Sequence, residues 1–488
     1  MSAHPLEPSR EQLSTWFRQV ETTVLDHLDG MATADSGGPL GEAGLALADE
    51  VSTPLPDEPL EGGLTEVLRL VGRAAEATLN TTSPGYLAYV PGGGIPTAAL
   101  ADTWSNVFNR FTGLAAAAPA LCRLEADVLT WLAHEFGYDD RARGLLTSGG
   151  SLANFSAVVA AREKLLGEDV DLRTATAYTS GQVHHCIAKC TRLAGLPFAN
   201  LRQVDVDDRW RLDPDALRKA IAADRAAGQR PFLIVASSGT TNTGAIDPLP
   251  ELAAIAKEED LWLHVDGAYG AAFVLCDEGR RRLEGLGEAD SITFDPHKGL
   301  FLPYGTGCLL VKDGEDLRRA HRVGASYLQD FDALDRSREA PSATDYGPEL
   351  SRDYRGLRIW LPFMLHGTRV FRETLAEKIE VARYIHDELV ELVEGGAPLE
   401  IVAEPQLSIG AFRLKRRDGE SLDDWNRRNT RLQDGINDRQ RVRLSSTNLP
   451  VHDGAAFTLR TCVLSFRTHE EHGRKFLEDL RGALEDLT

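Results

Sequence analysis

Leu263-His264-Val265-Asp266-Gly267-Ala268-Tyr269-Gly270 and, further on, Ser291-Ile292-Thr293-Phe294-Asp295-Pro296-His297-Lys298-Gly299-Leu300 carry the reading of this chain. Each opens on a short apolar run, ends that run on an aspartate and then turns to small residues. A short apolar run bounded by turn residues is the pattern of a strand buried on both faces, as in a parallel sheet. The spacing therefore predicts strands over Leu261–Val265 and Ser291–Phe294, each delivering a carboxylate at its end.

Outward from these, Thr174–Tyr178 precedes a helical pattern and Phe232–Ala236 precedes a Ser/Gly/Thr turn. From about residue 95 to 320, short buried strands alternate with helical periods, which implies a mostly parallel α/β sheet. Long helical segments follow at 353–394. Beyond them, strands (Gln406–Leu414, Phe457–Phe466) mix with charged helices (Leu422–Arg439, Glu470–Leu487), the pattern of a separate α+β domain. At the other end, residues 9–30 read as an amphipathic helix with Trp16, Val20, Val24, Leu25 and Leu28 on one face. It either packs on a partner subunit or lies locally on the surface. The Gly/Pro/Ala-rich stretch from Ala32 to Gly63 reads as an extended loop. The expected division is an arm over 1–95, a large domain over 96–375 with a mobile loop about 325–350, and a small domain over 376–488.

Bulk properties narrow the class. The 488 residues carry 53 Lys+Arg against 74 Asp+Glu, a net charge of −21. Such acidity repels nucleic acid and anionic membrane, so neither is expected as a partner. No run approaches the ~18 apolar residues of a membrane span. Met1 to Arg10 lacks the apolar core of a secretory signal, and the expected location is cytoplasmic. The cysteines (Cys122, Cys186, Cys190, Cys276, Cys308 and Cys462) are sparse and mostly flanked by apolar residues, as reduced thiols are. His184, Cys186 and Cys190 lie close together, but no second Cys/His cluster completes a tetrahedral shell, so no metal is expected.

Ligands of an open α/β sheet bind beyond the carboxyl ends of its strands, and polar signals fall at such ends here. Thr147-Ser148-Gly149-Gly150-Ser151 precedes a helical pattern over Phe155 to Leu166. Its glycines let backbone N–H groups approach an anion, the helix dipole favours one, and Ser151 adds a hydroxyl. The plainer reading is a Gly-rich helix cap. Asp266, followed by Ala268 with room for a flat ring, suits the ring nitrogen of pyridoxal 5′-phosphate (PLP). An acid there keeps the ring protonated, able to accept the electrons of a breaking Cα–carboxylate bond. The plainer reading is an Asp that caps the next segment. Lys298 beside His297 is a candidate Schiff-base lysine, whose amine partial burial near other cations would keep partly deprotonated. His184, after Gln182-Val183, could stack on the ring or move a proton. It could equally make an ordinary helix-start hydrogen bond.

These stretches, in this order and at these separations, resemble the pyridoxal-dependent group II decarboxylases, which include the aromatic-L-amino-acid, tyrosine, histidine and glutamate decarboxylases. The resemblance runs from about Pro84 to about Trp360. It implies a type I PLP-dependent transferase fold like that of aspartate aminotransferase, α/β in class, with PLP as cofactor. It implies that Lys298 holds PLP as a Schiff base, Asp266 pairs with the ring nitrogen, and Ala268 packs under the ring. Gly150 and Ser151 match the phosphate turn, with His297 beside it. His184 matches the stacked histidine and Thr241 a cofactor-contacting threonine. Tyr89-Val90-Pro91 and Phe111 match segments around the substrate. Tyr346 matches a loop tyrosine that protonates Cα after CO₂ leaves, with His184 as the other donor. The expected unit is a homodimer, because both subunits line each site in the family.

The chain also departs from that pattern. Asp295 stands where aromatic decarboxylases often have Asn, and Gly113 where they carry a Phe, in a stretch expected to shape the neighbouring subunit's pocket. That leaves the substrate side chain open. The expected reaction is decarboxylation of an L-amino acid to its amine, with an aromatic substrate first and an acidic or diamino acid open. The alternatives are oxidative deamination to an aldehyde, an aminotransferase or lyase, and an inactive scaffold, against which Lys298 and Asp266 together argue.

Overall fold

The computed structural model describes residues 4, 6–167, 169–322 and 341–487. The first part of the loop expected at 325–350 lies outside them. The large domain is built on β1 (Arg143–Thr147), β2 (Ala175–Ser180), β3 (Leu201–Val204), β4 (Arg230–Ser237), β5 (Trp262–Asp266), β6 (Ser291–Phe294) and β7 (Gly307–Val311). Their order in the sheet is β1-β7-β6-β5-β4-β2-β3. The strands from β3 across to β6 pair in parallel, and β7 runs antiparallel to both its neighbours.

Every residue of β2, β5, β6 and β7 is buried, which is why they read as continuous runs without polar alternation. Along β4, Leu233 and Val235 enter one core while Ile234 and Ala236 enter the other, as the strand period requires. Helix Gly150–Leu165 packs on the first side and helices Pro214–Ala226 and Leu249–Glu258 on the second.

The small domain is an antiparallel sheet of β8 (Leu399–Ala403), β9 (Ile409–Leu414), β10 (Ser445–Val451) and β11 (Gly454–Cys462), ordered β10-β11-β9-β8. Helices Thr368–Glu394, Leu422–Asn437 and Glu470–Asp486 close a core around Leu389, Phe412, Leu432, Leu459 and Phe476. The boundary expected at 375/376 falls inside helix Thr368–Glu394, which contains neither Gly nor Pro to interrupt it.

Helix Arg10–Gly30 forms as the amphipathic pattern predicts, capped by the Ser9 side chain accepting from the Gln12 N–H. The stretch read as an extended loop contains a helix, Glu42–Val51, with Leu47 buried; the surrounding Gly and Pro masked it. Farther on, the arm joins the small domain: Leu87 N–H donates to the Arg443 carbonyl (2.9 Å) and the Leu87 carbonyl accepts from Cys462 N–H (2.9 Å).

Candidate active site

The carboxyl ends of β4, β5 and β6 open, beside the turn that follows β1, on a cavity of about 330 Å³. Its lining brings together Gly150, Ser151, His184, Thr241, Asp266, Ala268, His297 and Lys298, together with Val90. The residues expected to handle a cofactor, scattered over some 150 positions of sequence, thus share one enclosure.

The anion end is shaped by what is missing from side chains. No side chain caps helix Gly150–Leu165, so its first N–H groups are free to face an anion. A Cβ on Gly150 would lie 3.0 Å from an Asp295 carboxylate oxygen and 3.2 Å from the Ala268 Cβ. One on Gly307 would lie 2.5 Å from the Gly149 backbone. Only glycine lets β7 and the turn approach this closely. His297 is held beside the turn by donation from Nδ1 to the Thr306 carbonyl (2.7 Å), and burial lowers its pKa.

At the end of β5, Asp266 is 7% exposed. Its Oδ1 accepts from Ala268 N–H (3.1 Å) and its Oδ2 from the Asn154 amide (3.1 Å). Burial, and then the neighbouring Cys186, push its pKa up to about 6. A cation placed against it, such as a protonated pyridine, would restore the ionised form.

Lys298 corrects an expectation. Burial alone would lower its pKa, but its Nζ lies 2.9 Å from Asp295 Oδ2, and that carboxylate more than offsets burial and raises it. Asp295, read from the sequence as a strand-end carboxylate and a departure from the family pattern, is therefore the counter-ion of the lysine. Its other oxygen is buried with no hydrogen-bond partner, open to a donor. His184 lies in the turn after β2, its Nδ1 accepting from Cys186 N–H (3.3 Å). The Cys186 thiol beside it raises its pKa. Anion cradle, buried acid, lysine and small floor residue together fit PLP.

Other expected residues lie elsewhere within the chain. Tyr89, Pro91, Phe111 and Tyr346 are not among the residues lining this cavity. Tyr89 adopts a left-handed φ of 52° and is largely exposed. Tyr346 packs at the β1 edge in a separate small cavity with Glu125, Leu145 and Arg352, and burial raises its pKa. Gly113 also has a local reason to be glycine. A Cβ there would lie 2.4 Å from the Leu350 carbonyl oxygen, and the Gly113 carbonyl accepts from Thr344 N–H (3.2 Å). It seats the segment returning from the loop.

Residues in and around the site escaped the sequence reading. Asn154, between the glycine turn and the helical pattern at Phe155, and His264, inside the β5 run, were assigned no role from the sequence. Arg460 is 2% exposed, donating to Ser445 Oγ (2.7 Å) and the Tyr89 carbonyl (3.1 Å). Its signal was an arginine inside the apolar run Phe457–Phe466.

Comparison with known proteins agrees with this geometry. Residues 66–415 match the model of the pyridoxal-dependent decarboxylase conserved domain. An aromatic-L-amino-acid decarboxylase of Bacillus atrophaeus is 31% identical over 99% of this chain and 98% of its own length. A Catharanthus roseus tryptophan decarboxylase in complex with L-tryptophan superposes with a TM-score of 0.87 at 26% identity, covering 99% of this chain and 100% of its own. An Oryza sativa TDC with PLP and tryptamine shares the fold at a TM-score of 0.89 and 24% identity, covering 99% of both chains. Matched over most of its length, with a cavity whose lysine, acid and anion cradle fit the cofactor, the chain belongs to the pyridoxal-dependent decarboxylase family and is a PLP-dependent amino-acid carboxy-lyase.

Proposed function

We propose that the substrate is an aromatic L-amino acid, converted to its amine and CO₂. The observation that carries this is the make-up of the cavity: among the described lining residues, Lys298 is its only Lys or Arg. An acidic substrate side chain would find no other Lys or Arg there, and Arg460 is already engaged by Ser445 and the Tyr89 carbonyl. The near full-length match to an aromatic decarboxylase points the same way.

PLP supplies an electron sink for the bond between Cα and the carboxylate. In this reading Lys298 would hold the cofactor. Asp266 keeps the ring nitrogen protonated. The N–H groups at Gly150 and the Ser151 hydroxyl hold the phosphate, with His297 behind them. Ala268, His184 and Thr241, all lining the cavity, would hold the ring. Tyr346, or else His184, delivers the proton to Cα. Val90 faces the substrate with Tyr89 and Pro91 beside it in sequence, and Phe111, outside its own chain's cavity, reaches the substrate from the second subunit.

The active unit is a homodimer in the cytoplasm. Leu13, Phe17, Val20, Val24 and Leu25 of the first helix are all exposed, and no residue of that helix is buried. Trp104 and Phe108 stack at 4.2 Å on a second helix while both remain open to solvent. Such apolar area on a single chain needs a cover. The expected solution mass is twice the 53.3 kDa of the chain.

The test combines turnover and labelling. Aromatic, acidic and diamino L-amino acids are compared for CO₂ and amine release, and the holoenzyme is reduced with borohydride and mapped. Release from aromatic substrates with the pyridoxyl label on Lys298 is expected. Faster release from an acidic or diamino acid overturns the substrate reading. A label on another lysine overturns the assignment of Lys298.

A further inference from the structure

Trp262, His264 and Asp266 alternate along β5, so all three side chains point to the same side of the sheet. Helix Gly150–Leu165 crosses that side and carries Asn154 over the strand. Ser291 of β6 stands in register with His264. The result is one line of hydrogen bonds through the interior. Trp262 Nε1 donates to Ser291 Oγ (2.8 Å), and Ser291 Oγ is 2.8 Å from His264 Nδ1. His264 Nε2 is 2.8 Å from Asn154 Oδ1, and Asn154 Nδ2 donates to Asp266 Oδ2 (3.1 Å). Asn154, His264 and Ser291 are all 0% exposed.

Elementary chemistry gives this line a single direction. An amide oxygen can only accept, so His264 Nε2 carries the hydrogen. Burial pushes the His264 pKa down to about 3, so the ring is neutral and its Nδ1 must accept from the Ser291 hydroxyl. That hydroxyl in turn accepts from the Trp262 N–H. Flipping the Asn154 amide would turn its oxygen toward the Asp266 carboxylate and set two acceptors face to face. The remaining Asn154 N–H is also used, donating to Cys186 Sγ (3.3 Å).

We propose that Asn154 is a positioning residue for Asp266, the acid that would face the cofactor's ring nitrogen. Locked in one orientation by His264, Ser291 and Trp262, its N–H and that of Ala268 hold the Asp266 carboxylate ionised and aimed at the ring nitrogen. Donation to a carboxylate favours its charged form and works against the burial that would protonate it. Two donors from the protein also fix the plane of the carboxylate, so its remaining lone pairs have one direction. The line spans three separate elements (β5, β6 and the helix after the anion cradle), and so ties the acid to the turn that grips the phosphate. The proposal rests on the reading that Asp266 faces the ring nitrogen.

The test measures binding in the absence of substrate. Affinities are determined by equilibrium dialysis for PLP and for its carbocyclic analogue, in which the ring nitrogen is replaced by C–H. Wild type should prefer PLP, because only PLP offers Asp266 a protonated nitrogen. If wild type shows no preference, Asp266 does not face the nitrogen, and this proposal falls with that reading. In Asn154→Ala the preference should shrink about tenfold or more, the scale of a lost hydrogen bond to a charged group. His264→Leu, which frees the amide to rotate, should shrink it by about threefold on the scale of a weaker hydrogen bond. His264→Gln, which still offers an N–H to Asn154, should restore most of it. Each preference is a ratio within one protein, so general weakening of the fold cancels. If Asn154→Ala weakens both ligands equally and keeps the wild-type ratio, Asn154 merely fills space and the proposal is overturned.

Discussion

The cofactor cavity and the segment returning at 341–358 are both rich in buried charge, and they treat it in opposite ways. In the cavity, charges are left with something to do. Asp295 has one oxygen on Lys298 and one with no partner, and Asp266 takes two donors while facing open space. In the returning segment, guanidinium groups are matched to carboxylates: Arg352 to Glu125, Arg355 to Glu349 and Asp353, and Arg358 to Asp102 and Asp353. Arg352 and Arg355 also donate to the Leu146 carbonyl (3.4 and 3.2 Å), just before the anion cradle. A carboxylate oxygen left without a partner marks the cavity, whereas charge matched to charge marks the frame, even though Nε of Arg352 and of Arg355 has no hydrogen-bond partner. Each of these statements can be broken by one substitution.

Asp266→Asn carries the largest expected effect. With the ring-nitrogen charge unsupported, kcat should fall about a thousandfold, the upper range for losing one electrostatic contact to a transition state. Near-normal turnover in a PLP-loaded variant would remove Asp266 from the chemistry. The same substitution should act the other way on cofactor-free protein. The folded pKa is raised to about 6 from 3.8, so between those values the folded state binds more protons than the unfolded one. Stability from this group is therefore full below 3.8 and lost as pH rises through 6. Asparagine escapes that loss. The cofactor-free variant should melt above wild type at pH 7, with the gap closing by about pH 4. A variant that melts lower at both pH values would show that the carboxylate is a structural asset.

On the frame side, Arg352→Met should lower stability by about 3 kcal/mol, since it strands Glu125 without its partner. The Arg352 side chain is 2% exposed and that of Glu125 7%, so water cannot replace the lost contact. Urea unfolding measures the loss. A change under about 1 kcal/mol, the scale of a surface pair, would mean that the segment is held by something else.

How far the sequence revealed these two regions follows from how local each feature is. β5 and β6 were legible because burial on both faces leaves an apolar run that a terminal Asp interrupts. The cradle was legible because its glycines stand together ahead of a helix. The Lys298–Asp295 pair spans only three positions and could have been found by placing the turn on a helix, but the lysine was read through its expected pKa. The Asn154–His264 contact joins residues 110 apart, and Gly113 meets Leu350 across more than twice that distance in sequence. No periodicity records such meetings. The arm helix Glu42–Val51 was lost for a different reason, since flanking turn residues outweighed a short apolar face.

Tyr346 tests where the two regions join, and its expected effect is the smallest because in its proposed role it would alter only the fate of the product carbon. Within its own chain it packs at the β1 edge, away from Lys298. If it is nevertheless the proton donor, it reaches a cavity from another position of the segment or from a second copy of the chain. Tyr346→Phe keeps the ring and its packing and removes only the hydroxyl. CO₂ release should stay within about tenfold of wild type, because the phenol acts after that bond breaks. What should change is the partition, with amine falling and aldehyde plus ammonia rising under air. Mixed dimers then separate the two routes. Lys298→Ala chains lack the proposed cofactor lysine and Tyr346→Phe chains lack the phenol. If the phenol crosses between subunits, the mixed dimer contains one site with both groups, and its amine-to-aldehyde ratio returns to the wild-type value. If it acts within its own chain, no mixed site has both groups, and the ratio stays that of Tyr346→Phe. A Tyr346→Phe enzyme that makes amine at the wild-type rate without aldehyde ends the role of Tyr346 on either route and leaves His184, already in the cavity, as the donor.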